Sequence, residues 1–134
     1  MIKFVYCIRK RADLTDEEFR NFWRDTHGLF IRSIAKTLGA TKYIQSHTLS
    51  TSVNSEIVKS RGLDSLPYDG ITEIWWESME DFLAAVSTPE GQEAARQYIT
   101  DPTVGEVNFV DFSQSRAFLT EEHTVFDFSS TQSI

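Results

Sequence analysis

Three stretches of the chain alternate with the period of a β-strand, and the segments between them carry helical signals. IKFVYCIR, residues 2 to 9, places Ile2, Phe4, Tyr6 and Ile8 on one face and Lys3, Val5, Cys7 and Arg9 on the other. TKYIQSHTL, residues 41 to 49, groups Tyr43, Gln45, His47 and Leu49. GITEIWWE, residues 70 to 77, sets Ile71, Glu73, Trp75 and Glu77 against Thr72, Ile74 and Trp76. Side chains two apart share a face because a strand repeats every two residues. Ala117 to Phe128 reads as a fourth strand.

The first helix announces itself at Thr15. With Glu18 it forms a capping box, in which each side chain satisfies an orphan backbone donor of the other residue. Asp16, Glu17 and Glu18 complement the positive end of the helix. Phe19, Phe22, Trp23, Thr26, Phe30 and Ile34 then fall on one stripe at helical spacing. Gly28 is expected to bend or split this helix, and Gly39 to end it. Ser78 with Asp81 caps MEDFLAAV, and Thr88-Pro89 opens a further helix to about Ile99. Asp101-Pro102 closes it, since the residue before a proline is pushed out of the helical region. Residues 50 to 67 form a polar connection too long for a simple link, so they read as functional or mobile. Residues 103 to 114 carry no clear period, although NFVDFSQS allows a short helical turn.

The order is β-α-β-β-α-β with the second helix broken, which is the ferredoxin-like plan. One domain, residues 1 to 134, is expected, of α+β class, with helices on one face of a four-stranded antiparallel sheet. The other sheet face bears large side chains and no part of the chain is left to cover it. A second copy packed sheet to sheet would cover it, so a homodimer is the expected assembly.

A net charge of −7 argues against nucleic acid and anionic membranes as partners, since both need a basic surface. The apolar run at the N-terminus is too short for a signal or spanning segment, so a cytoplasmic protein is expected. A single cysteine, Cys7, makes no internal disulfide, and nothing near it in sequence depresses its pKa. No H-x-x-x-H, H-E-x-x-H or CxxC spacing suggests a metal, and no P-loop, G-x-G-x-x-G or G-x-S-x-G motif is present. No metal and no cofactor are therefore expected.

Alternation also proposes a site. If Ile74 and Trp76 pack beneath the helices, Glu73 and Trp75 point between the two sheets. Gln45 and His47 are expected to join them there, with Tyr43. On the last strand either His123 or Glu122 points inward, and the expectation is His123. Two imidazoles, a carboxylate, an amide and an indole would then line one space, the mixture of apolar wall and convergent polar groups that small-molecule sites use. Histidine suits proton transfer near neutral pH. His27 stands apart, four residues after Trp23 and immediately before Gly28. Packing, capping and catalysis are all open to it.

Several separated pieces of the chain resemble the EthD family of dimeric α+β-barrel proteins. FRNFWRDTHG matches its Phe, aromatic-Trp and His-Gly helix signature. YIQSH matches its Tyr-x-Gln-x-His strand, and YDGITEIWWES its Asp-Gly…Glu-x-Trp-aromatic segment. MIK, STPEGQEA and TEEHTVF complete the order. The resemblance implies a sheet-to-sheet homodimer with a cavity in each barrel, and makes His27 a recurring family position. Relatives in the wider superfamily include polyketide cyclases, muconolactone isomerases, fungal dehydratases of aromatic polyketides, and monooxygenases working without metal or bound flavin. The function expected is a cofactor-independent lyase or isomerase acting on a small aromatic or polyketide-like substrate. In it His47 and His123 exchange protons with the substrate and Glu73 orients or charge-balances an imidazole. Tyr43 and Gln45 bind a polarised oxygen, and Trp75 walls the ring. The alternative is a noncatalytic small-molecule binding or accessory protein of a catabolic gene cluster.

Overall fold

The N-terminal alternation becomes strand β1, Ile2–Ile8, in a computed structural model that describes residues 1–129. The terminal SSTQS tract lies outside the described residues after its first serine. Strands β2 (Lys42–His47), β3 (Gly70–Trp76) and β4 (Arg116–Glu121) complete one antiparallel sheet of order β2-β3-β1-β4. Central β3 and β1 carry the apolar residues, as strands buried by neighbours on both sides should. The expected α+β, ferredoxin-like architecture is thus present, with the sheet face opposite the helices open.

The capping box is formed: Thr15 Oγ1 accepts from the Glu18 amide at 3.1 Å, and Glu18 accepts from the Thr15 amide at 2.9 Å. Helix α1, Asp16–Asn21, runs into a π-helical turn, Phe22–His27, and then into α2, Gly28–Leu38. The expected interruption at Gly28 is therefore a wider turn before it rather than a bend at the glycine. Gly39 ends α2 in the left-handed conformation, φ 69°, where glycine has no Cβ to clash. Helices α4 (Met79–Val86) and α5 (Pro89–Thr100) start at the Ser78 and Thr88 caps the sequence marks.

One expectation needs correction, and the polar connection gains structure. Within residues 50 to 67 Thr51 caps α3, Ser52–Ser60, although α3 buries none of its residues. Its return to the fold is pinned where the Arg9 guanidinium donates to the Leu66 and Pro67 carbonyls at 2.8 and 3.0 Å. The last strand stops at Glu121 instead of reaching Phe128. Glu121 pairs with Ile2, the first residue of β1, so the ladder has no further partner residues to use. Residues 103 to 114 hold two short 3-10 turns, Glu106–Asn108 and Phe112–Gln114.

The core lies between the sheet and the helices. Tyr6, Ile8, Phe19, Trp23, Phe109 and Val110 form one cluster, and Ile31, Ile74, Trp76 and Tyr98 another. Trp23 is 0% exposed and contributes on the order of 2–3 kcal/mol by burial alone. It lies so close to β3 that a Cβ at Gly70 would overlap its six-membered ring, which explains the glycine that opens this strand. No helix among the described residues is long and apolar enough to cross a membrane.

Candidate functional site

Strand register decides which side chains can meet. Gln45 pairs with Thr72, Tyr43 with Ile74 and His47 with Gly70. Residues directly opposite share a face, and Thr72, Ile74 and Gly70 belong to the buried, helix-covered face of β3. Tyr43, Gln45 and His47 therefore point toward the helices. Glu73 and Trp75 occupy the open face, with Lys3, Val5 and Ile44 as neighbours. The expected grouping of His47, Gln45 and Tyr43 with Glu73 and Trp75 does not form. A shift of one residue in phase moves a whole strand to the other face, and β2 carries polar groups on both.

His123 does not join either group. It follows the end of β4, its side chain is 77% exposed, and Nε2 meets Glu121 at 2.9 Å. Glu122 is the residue that turns inward. Its Oε1 accepts from the Trp75 indole N–H at 2.6 Å, and its Oε2 lies 3.5 Å from Lys3 Nζ. Lys3 Nζ also bonds Glu73 Oε2 at 2.7 Å, which raises the lysine pKa. Lys3 and Lys42 place their ammonium groups 5.2 and 4.6 Å from the Trp75 ring centre. The open face is thus a satisfied ionic and aromatic patch.

The concave space is on the helix side. A cavity of about 490 Å³ is lined by Phe4, Ile74, Trp76, Phe82, Ile99 and Phe112, with the polar groups of Tyr6, Tyr98 and Glu106. Glu106 is 4% exposed and accepts from the Tyr6 hydroxyl at 3.2 Å through Oε1. Burial pushes its carboxyl up to about 8, and the Tyr6 hydrogen bond only partly opposes this. At neutral pH Glu106 is a carboxylic acid. Oε1 accepts the phenol hydrogen bond, the role that suits the carbonyl oxygen of an acid. Burial also raises the Tyr6 and Tyr98 hydroxyls, so neither ionises near neutrality. An apolar chamber with a neutral acid can donate a proton to a ligand oxygen, and its conjugate base is strong enough to take one back.

His27 holds this acid in place from behind. It ends the π-helical turn, is 1% exposed, and its Nδ1 lies 2.8 Å from the Val104 carbonyl. A carbonyl only accepts, so Nδ1 carries the hydrogen. The ring packs edge-on to Tyr98 and Phe109, each at 4.9 Å. Burial lowers its pKa to about 4, so it stays neutral. Val104 stands two residues before Glu106, which places the imidazole at the root of the acid's 3-10 turn.

A second string fixes β2. Gln45 Nε2 donates to the Trp23 carbonyl at 2.8 Å and to the Tyr43 hydroxyl at 2.9 Å. Its Oε1 therefore faces His47 Nε2, at 2.9 Å, and that nitrogen must carry the hydrogen. The His47 ring stacks on Trp23 at 4.3 Å. Burial, then the charges of Arg24 and Arg20, lower its pKa. With Nε2 carrying the hydrogen, Nδ1 keeps its lone pair in the neutral form of the ring.

Sequence reading missed Glu106, Tyr6 and Tyr98. Tyr6 reads in the sequence only as part of one alternating face, yet a phenol in phase with Phe4 and Ile8 on a buried face needs a partner for its hydroxyl. Glu106 lies where no period exists to place it. Among the described residues no group of three or more His, Cys, Asp or Glu side chains gathers as a metal site.

The EthD domain model matches residues 11–113. An ethyl tert-butyl ether d (EthD) family protein from Bacillus halodurans superposes with a TM-score of 0.57 at 15% identity, covering 92% of this chain and 99% of that one. An Arabidopsis thaliana protein gives 0.55 at 12% identity, over 94% and 99% of the two chains. A dimeric protein of unknown function and ferredoxin-like fold from Bacteroides fragilis gives 0.52 at 11%, over 90% and 95%. Likenesses at such identities establish the fold. No curated protein matches the chain.

Proposed function

The chain belongs to the EthD family, and from that premise we propose that it is a cofactor-independent enzyme converting a small aromatic or polyketide-like molecule in the cavity between sheet and helices. The observation that carries this reading is Glu106, a carboxyl kept protonated at neutral pH on the wall of an apolar chamber, with Tyr6 holding one of its oxygens. The chemistry is proton transfer beside a carbonyl, as in dehydration, cyclisation, isomerisation or decarboxylation. In a dehydration the Glu106 proton passes to the departing hydroxyl, and water leaves. The carboxylate then takes the proton from the carbon next to the carbonyl, which restores the acid.

His27 and the Tyr43–Gln45–His47 string position the elements behind the cavity. Glu73 and Trp75 belong to the face on which a second copy packs to form the homodimer. Val5, Ile44, Ile71 and Phe118 are among the apolar side chains offered there, and the Bacteroides fragilis protein of the same fold is dimeric. The single domain acts in the cytoplasm.

Hydroxyaryl ketones, anthrones, muconolactones and quinones are the compounds to screen, first by thermal shift and then for turnover, on the wild type and on Glu106→Gln. A ligand of the native state raises the melting temperature by mass action. The enzyme reading expects binding by both proteins and turnover by the wild type alone, with a loss of roughly 10²-fold or more in the variant. Turnover that survives Glu106→Gln removes Glu106 from the chemistry. Binding with no turnover in the wild type favours the accessory protein instead.

A further inference from the structure

A second cavity, of about 530 Å³, lies along the other side of the wall made by Leu38 and Ile74, which border both spaces. It runs between α2 and β2, against Ile31, Ala35 and Ala40, with Tyr43 and Gln45 as polar groups. Its character is opposite to that of the first. Glu106 and no cationic side chain line the first cavity; Arg24 and Arg32, and no carboxylate, line the second, while Lys42 borders it but sends its ammonium over the Trp75 ring on the open face. In a chain of net charge −7 this sign is local and must be explained by the placement of these residues.

One end carries two arginines, of which Arg24 is already paired with Asp25. Arg24 closes the slot beside Gly28 and also borders a smaller pocket of about 260 Å³ with Arg20, His47 and Thr48. Arg20 and Arg24 are four residues apart on one helical side, a spacing at which like charges oppose each other. Asp25 takes Arg24 Nε and Nη2 at 2.9 and 3.0 Å, which leaves Nη1 for a further acceptor. Arg20 gives Nη2 to the Thr48 carbonyl at 3.2 Å and keeps its other donors. His47 borders the same pocket, its pKa lowered by burial and by the charges of Arg24 and Arg20.

We infer that the slot binds an amphipathic carboxylate, with its apolar body along α2 and its head group at Arg24, backed by Arg20. The first cavity, by contrast, suits an uncharged ligand, because a carboxylate there would face Glu106 with no counter-charge. The two cavities share the Leu38 and Ile74 wall, but the ionisable group each assignment rests on, Glu106 in one and Arg24 in the other, lines only its own space.

The test is calorimetric titration of the full chain with 2-naphthoate, and with the uncharged 2-acetylnaphthalene as control. Arg24→Gln should weaken naphthoate binding by about tenfold or more, the usual scale for losing a charge-assisted hydrogen bond. It should leave the ketone unchanged. Arg24 is exposed, so this variant is expected to fold. Gly28→Leu should block naphthoate without altering any charge, because a side chain there enters the slot toward Gln45. Glu106→Gln should not affect naphthoate. No naphthoate binding at millimolar concentration would overturn the inference. So would affinity that Arg24→Gln leaves intact, or affinity that Glu106→Gln abolishes. If naphthoate behaves as expected and no compound turns over, this site stands and the proposed enzymatic reading fails.

Discussion

The Tyr6 hydroxyl, at the centre of β1, donates to Oε1 of Glu106 across one hundred residues of sequence, at 3.2 Å. This contact ties the middle of the sheet to the loop that closes the helical layer. It satisfies one oxygen of a carboxyl whose residue lines the cavity. His27, from the π-helical turn, holds the same loop two residues earlier through Val104. A strand, a wide helical turn and a loop thus converge on one acid.

The first prediction concerns stability and pH. Between pH 4.5 and 8 the native chain keeps a proton at Glu106 that the unfolded chain has lost, so this group makes stability fall as pH rises. Between pH 4 and 6.5 the unfolded chain binds a proton at His27 that the native chain excludes, so this group makes stability rise with pH. The two contributions oppose each other between pH 4.5 and 6.5. From pH 6.5 to 8 only the Glu106 decline remains, about 2 kcal/mol. Urea unfolding at several pH values across that window should show it in the wild type and not in Glu106→Gln.

Tyr6→Phe tests the contact itself. The phenol hydrogen bond lowers the Glu106 pKa, against the larger effect of burial. Its removal should move the Glu106 titration to higher pH. Any turnover that needs the protonated acid should then show its alkaline limb at higher pH, with the same displacement in a carboxyl titration. An unchanged limb would mean that the phenol does not act on the acid.

Gly70 should tolerate no side chain. Gly70→Ala drives a methyl group into the Trp23 ring and should cost roughly 1–3 kcal/mol, the range for overpacking a core. Guanidinium melts measure it directly. Gly28→Ala is the control, because a Cβ there meets its neighbours at ordinary distances of 3.5 and 3.6 Å and improves helix propensity.

Phe118 is 50% exposed and pairs with Val5 on the open face. In the proposed sheet-to-sheet homodimer it is buried. Phe118→Glu should convert the protein to a monomer in sedimentation at micromolar concentration, with the fold retained. A wild type that is already monomeric would remove the dimer.

What could be read from the sequence was local. The Thr15–Glu18 box, the Ser78 and Thr88 caps and the Gly39 stop each depend on residues within a turn of one another, and each is present. The alternation in β1 and β3 has a clear apolar side and reads correctly. β2 does not: Tyr43, Gln45 and His47 are polar, and only pairing with Thr72 shows that they face the helices. Helix α3 buries nothing, and its apolar residues Val53, Ile57 and Val58 make only a one-turn stripe in a polar segment. Glu106 depends on a tyrosine one hundred residues away, a relation that no window of sequence contains.

The central claim is that Glu106 is an acid at neutral pH. The direct measurement is a ¹³C NMR titration of its side-chain carboxyl in the native homogeneous protein, assigned by comparison with Glu106→Gln. A midpoint near 8, moving upward in Tyr6→Phe, is the predicted result. A midpoint near 4.5, the ordinary glutamate value, would contradict it, because the cavity would then hold a carboxylate with no proton to give.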